Sequence, residues 1–97
     1  MPYQLQLSPH SIRRISELTK KNTQLKNKFV FVFKQLRQDP FYFQLNTHKV
    51  QSSKFGKAWS SKVTNDLRII WNFDKDQKLV ILVLTIGGHS GKFKVYN

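Results

Sequence analysis

Cysteine is absent from this 97-residue chain, which excludes a disulfide framework and a zinc ribbon and leaves a fold compatible with a reducing cytosol. Long apolar runs are also missing. No stretch of 18 apolar residues occurs, and the start, MPYQLQLSPH, lacks the charged segment and apolar stretch of an export signal. The expectation is a soluble, unexported, cytoplasmic protein. Repeats, low-complexity tracts and linkers are lacking as well, so residues 1–97 are expected to form one domain. With 39% hydrophobic and 13% aromatic residues, the chain can build a real but limited core.

Negative charge is the scarcest commodity: 5 Asp plus Glu stand against 17 Lys plus Arg, a formal net charge of +12. On so small a body this density attracts polyanions, because each phosphate contact releases condensed counterions. Nucleic acid is the first expectation and an acidic protein the second.

What is present reads as an ordered series of elements. YQLQLS, residues 3–8, alternates as a short strand with Tyr3, Leu5 and Leu7 on one face. Ser8 then caps a first helix, Pro9 occupies its first turn, and Ile12, Ile15 and Leu18 or Thr19 recur at helical spacing towards an end near Lys20 or Lys21. FVFVF, residues 29–33, has the look of a strand, but the wider window keeps a 3.6-residue period through Leu25, Phe29, Val32 or Phe33, and Leu36. Asn22 can cap that segment and Pro40 stops it, so a second helix is expected. Val30 and Phe31 fall off its main stripe, giving a broad apolar girth suited to a partner with acidic and apolar residues.

After Phe41 a polar, basic connection containing Gly56 is expected, then a strand over residues 58–63 with Trp59, Ser61 and Val63 on one face. Two further strands, residues 67–73 and 79–86, flank the charged turn DKDQK. The fold class is therefore α+β, with two N-terminal helices packed on a small antiparallel sheet.

LTIGGHSGKF, residues 84–93, ends the last strand on Gly87 and Gly88. A phosphate-binding P-loop needs four residues between its first Gly and its Gly-Lys pair, followed by Ser or Thr; here there are three, and Phe93 follows Lys92. What remains is His89 with a Lys three residues on.

The segment HKVQSSKFGKAWSSKVTNDLRIIWNFDKDQKLVILVLTIGGHSGKF resembles the core of the RelE/ParE superfamily of toxin-antitoxin toxins: a basic loop, a Trp-Ser strand, an Asp-x-Arg-Ile strand, an acidic turn, an apolar strand and a terminal G-x-H-x-x-x-[FY]. The likeness covers roughly residues 45–93 by motif and the rest by element order. It implies the RelE-like, microbial-RNase-type fold and, for the RelE branch, ribosome-dependent cleavage of mRNA without metal or cofactor, with an acidic cognate antitoxin as partner. Members of the ParE branch inhibit DNA gyrase on the same fold, so fold does not choose between them. A basic RNA-binding module without catalysis is the third reading.

Metal-free RNA cleavage needs a base for the 2′-hydroxyl, a cation for the phosphate and an acid for the leaving 5′-oxygen. By resemblance to the YafQ-like members, Arg68 faces the scissile phosphate, His89 and His48 exchange protons, and Asp66 matches a site carboxylate. Lys62 stands where that pattern has a further His, and a lysine there suits phosphate stabilisation better than base chemistry. Lys49, Lys54, Lys57, Lys92 and Lys94 add positive charge for RNA, and Phe93 is placed to stack on a base. Arg68 pairing with Asp66, His89 capping a strand, and Trp59 and Trp71 serving only the core are the bland alternatives. His10 is expected on the surface of the first helix.

Overall fold

The computed structural model describes residues 3–88, so the expectations for His89, Lys92, Phe93 and Lys94 lie outside the described residues. Chain order is β1 (Gln4–Leu7), α1 (Pro9–Thr19), α2 (Thr23–Gln38), a 3₁₀ turn (Phe43–Leu45), β2 (His48–Ser52), β3 (Gly56–Lys62), β4 (Leu67–Phe73) and β5 (Val80–Gly88). The strands form one sheet in the order β1-β5-β4-β3-β2.

The helices begin where the capping residues place them. Ser8 Oγ accepts the Ser11 amide at 3.0 Å, and Pro9 sits in the first turn, where its missing N–H costs nothing. Asn22 Oδ1 accepts the Leu25 amide at 3.0 Å to open α2. FVFVF is helical: Phe29, Val32 and Leu36 enter the core, Phe33 lies partly buried against it, and Val30 and Phe31 remain 59% and 45% exposed. Ile15 and Leu18 of α1 pack on the same cluster, which on the sheet comprises Val63, Ile69, Trp71, Ile81, Val83 and Ile86. Both helices thus bury their apolar stripes on one sheet face, each buried aliphatic side chain contributing about 1.5–3 kcal/mol.

A bulge makes that face continuous. Ile70 pairs with Thr85 but Trp71 pairs with Val83, so Leu84 is an extra residue in β5. The phase shift lets Ile81, Val83 and Ile86 share the core face although their spacing is not a strict alternation. α1 closes the irregularity: Val83 O accepts the Ser8 amide at 3.1 Å and the Ser11 hydroxyl at 3.3 Å, and Leu84 O accepts the Ser8 hydroxyl at 3.1 Å.

The α+β class with two helices on a mostly antiparallel sheet holds, with one addition and two corrections. The sheet is not wholly antiparallel, because β1 joins β5 in parallel register from Gln4↔Val80 to Leu7↔Val83. The basic connection after Phe41 contains a strand, β2, paired with β3 from His48↔Ser60 to Ser52↔Gly56. An edge strand of Lys, Gln and Ser carries little apolar alternation, so its pattern hides it, and such residues blunt a sheet edge. Gly87 and Gly88 do not break the last strand, which runs to Gly88 with Gly87 opposite Arg68. The smallness of Gly88 serves close approach: a Cβ there would lie 2.4 Å from the Asp66 carbonyl oxygen.

That contact yields a prediction. Gly88→Ala must push the residue 63–66 loop away from β5 and should destabilise the domain by about 1–3 kcal/mol in urea unfolding, the range for overpacking; an unchanged midpoint would show that the loop yields freely.

Candidate functional site

The central strand β4 carries different chemistry on its two faces. Leu67, Ile69, Trp71 and Phe73 face the helices, while Arg68, Ile70 and Asn72 face the opposite side. On that second face β3 contributes Ala58, Ser60 and Lys62, and β2 contributes His48, Val50 and Ser52. Since Lys62 lies opposite Arg68 and His48 opposite Ser60, the register gathers two cations, a hydroxyl and an imidazole at one end of the sheet.

Arg68 is 5% exposed and firmly held. Its Nε donates to Ser60 Oγ, and its Nη2 donates to Asn46 O at 2.7 Å and to Ser60 O at 3.1 Å. His48 Nδ1 lies 3.3 Å from Nη2 and 3.1 Å from Asn46 O. The two Nη2 hydrogens are matched by two carbonyls, so the consistent assignment has His48 Nδ1–H donating to Asn46 O. The exposed His48 ring, when neutral, then bears its lone pair on Nε2.

Asn46 makes this possible with a left-handed backbone, φ 47° and ψ 47°, at the end of the 3₁₀ turn. Asn is among the few side-chain-bearing residues that visit this region readily, and the conformation aims one carbonyl at both Arg68 and His48. The segment is tied to the core by a relay of hydroxyls. Trp71 Nε1 donates to Ser61 Oγ at 2.8 Å, Ser61 and Thr47 share a hydrogen bond of 2.6 Å, and Thr47 donates to Pro40 O at 2.7 Å. Because the Thr47 hydrogen is spent on Pro40, Ser61 is the donor in the middle link.

Of the expected site residues, the structure brings Arg68 and His48 together, and register sets Lys62 opposite Arg68 on β3. Asp66 is exposed in the loop before β4, where its amide donates to Thr64 Oγ1 and its carbonyl faces Gly88. A bidentate phosphate contact through the Nε–Nη2 edge of Arg68 would have to displace Ser60 and Asn46, so the guanidinium is placed as a fixed charge behind His48. Lys49 lies on the other face of β2, its Nζ 5.6 Å from the Trp59 ring centre. By alternation Lys57 shares the Trp59 face, and Lys54 occupies the β2–β3 turn with its Nζ 5.6 Å from the Phe55 ring centre. These three lysines therefore do not line the Arg68 pocket.

Sequence reading missed Asn46, Ser60 and Thr47. The Asn ending a short apolar-polar segment before His48 was the available signal; Ser60 would have required the β2–β3–β4 register. Among the described residues no group of three His, Asp or Glu side chains is placed to hold a metal ion, and no helix is long and apolar enough to cross a membrane.

His10, half-buried on α1, has its pKa lowered from the ordinary 6.5 by burial and then by the positive charges of Arg14, Lys54 and Arg13, with Glu17 opposing. The folded state binds this proton less readily than the unfolded chain, so its contribution is intact above pH 6.5 and declines as pH falls below it. His10→Gln should flatten the loss of stability between roughly pH 7 and pH 5 in thermal melts. Ser61→Ala should cost about 1–3 kcal/mol by orphaning the buried Trp71 N–H and cutting the tie to residues 40–47; urea unfolding measures it, and a nearly neutral result would mean that a water replaces the hydroxyl.

No protein-family model matches the sequence, and no curated protein matches it by sequence. Solved structures do match. The YoeB/ParE toxin from Agrobacterium tumefaciens aligns at TM-score 0.72 and 13% identity over 90% of this chain and 99% of that one. The archaeal RelE-RelB complex from Pyrococcus horikoshii contributes a chain at TM-score 0.71 and 15% identity, covering 93% and 98% respectively. The E. coli DinJ-YafQ complex contributes one at TM-score 0.68 and 18% identity, covering 94% and 98%. At these identities the likeness is one of architecture, and it runs the full length of the neighbours: the chain has the fold of the RelE/ParE-type toxins.

Proposed function

We propose that the protein is the toxin of a type II toxin-antitoxin pair, acting as a ribosome-dependent endoribonuclease that cleaves mRNA by attack of the 2′-hydroxyl on the adjacent phosphate. The observation that carries this reading is the Arg68–His48–Asn46 cluster: an exposed imidazole held in one tautomer, with a buried guanidinium at 3.3 Å. A gyrase-binding protein or a passive RNA-binding module has no use for a base oriented in this way.

In this mechanism His48 Nε2 removes the 2′ proton as the oxygen attacks phosphorus. Arg68, with Lys62 opposite it on β3, stabilises the charge that collects on the phosphoryl oxygens. His89, by its resemblance to the YafQ-like pattern, protonates the departing 5′-oxygen, leaving a 2′,3′-cyclic phosphate and a free 5′-hydroxyl. The partner is an acidic antitoxin. Exposed Phe31 on α2 borders a groove of about 360 Å³ lined in part by Lys28, Val32, Leu45 and Lys62, with buried Val32 and Leu45 beside the two lysines. An amphipathic acidic segment fits that chemistry.

His48→Ala and Arg68→Ala should each reduce mRNA cleavage, mapped by primer extension in cells expressing the chain, by about 10²-fold or more. Ribosome binding should fall much less, since it is spread over many lysines. Full toxicity in both variants, together with loss of gyrase-dependent supercoiling in the parallel assay, would replace this reading with the gyrase one.

A further inference from the structure

Phe41 is an unusual surface residue. It is 49% exposed, yet its ring makes contacts that fix its orientation: edge-on to Trp59 at 4.9 Å, and tilted against Trp71 at 6.1 Å and Phe73 at 6.4 Å. Its backbone is held too, since the Phe41 amide donates to Asp39 Oδ1 at 3.0 Å immediately after buried Pro40. An exposed ring already ordered in this way loses little entropy when something flat stacks on it.

The surroundings of this ring are cationic. Lys49 extends over Trp59, and Lys57, two residues before Trp59 on the same strand, projects from the same sheet face. Both lysines are exposed. A groove of about 430 Å³ at the β2–β3 pair is lined by Lys49, Lys57 and Trp59 together with Val50, Ala58 and Asn72 from the other side of the sheet. The chemistry is an aromatic platform flanked by ammonium groups, on the opposite sheet face from Arg68 and His48.

We infer that Phe41, Trp59, Lys49 and Lys57 form a second RNA-binding site, in which an unpaired nucleobase stacks on Phe41 while the two lysines hold the flanking phosphates. The inference rests on the proposed RNA-directed function but not on catalysis. Charge complementarity selects the occupant: a chain of net charge +12 favours a polyanion, and among polyanions only a single-stranded nucleic acid supplies both phosphates and exposed flat rings. The site would grip a strand on the far side of the β2 edge from the cleavage residues.

The test uses the full chain carrying His48→Ala, so that RNA survives the measurement, and a fluorescein-labelled single-stranded oligouridylate as probe. Phe41→Leu keeps apolar contact with Trp59 while removing the ring. It should weaken oligouridylate binding about tenfold, as expected for loss of one stacked base. Binding of heparin, a polyanion without bases, should not change, and a cooperative thermal melt shows that the variant, short of three ring contacts, remains folded. Lys49→Gln with Lys57→Gln should reduce the salt dependence of RNA binding by about 1.4 in log–log slope, two phosphates' worth for a single strand. Unchanged RNA affinity in Phe41→Leu, or an equal loss for heparin, overturns the stacking site. Absence of mRNA cleavage by the native chain would instead overturn the nuclease reading, leaving this binding result intact.

Discussion

Everything in this molecule is organised around a conflict that β4 resolves: one face must be dry enough to bury a tryptophan, and the other must hold a guanidinium three residues away. Trp71 is fully buried and Arg68 is 5% exposed, so neither can appeal to water for its hydrogen bonds. The solution is the adjacent strand. β3 presents Ser61 to the indole N–H on one face and Ser60 to the guanidinium on the other, consecutive residues serving opposite sides of the sheet. A one-residue slip of β3 against β4 would set Trp59 against the guanidinium or Lys62 against the indole, leaving one buried donor without its serine, so the register is enforced by polar chemistry as well as by apolar packing.

The same arrangement links stability to the site. Ser61 passes its hydrogen bond to Thr47, and Thr47 lies between Asn46 and His48 in sequence, so the core tryptophan and the imidazole are joined through two hydroxyls. Asn46 supplies the turn from which the cluster hangs, and its left-handed backbone is tolerated because the structure rewards it with two donors on one carbonyl. The site is therefore assembled by a loop that is rigid by construction.

Much of this architecture was legible in the residues. The helices declared themselves through Ser8, Pro9 and Asn22, and the 3.6-residue period correctly overrode the strand-like FVFVF because the window extended to Leu25 and Leu36. Arg68 and His48 were selected by likeness and are neighbours in space. What stayed hidden was set by tertiary context. β2 is a polar edge strand, for which hydrophobic alternation is the wrong signal. Gly87 and Gly88 read as a strand end because local pattern cannot show that the Asp66 carbonyl arrives from another segment. The separation of Lys49 and Lys57 from the Arg68 face followed only once β2 existed, since adjacent residues on a strand point to opposite sides.

The parallel pairing of β1 with β5 sets the order in which the molecule can be completed. Residues 4–7 have no strand partner until residues 80–83 are available, and Ser8 and Ser11 seat α1 on the bulge of that same strand. Contacts of such long sequence separation form late, after the entropy of closing a large loop has been met. During synthesis the helices and the β2–β3–β4 meander emerge first, with the Arg68 and His48 side chains already made, yet the core face stays open until β5 inserts between β4 and β1. The chain is thus assembled in a sequence that withholds the finished sheet, and with it the closed core beneath Arg68 and His48, until β5 has been delivered.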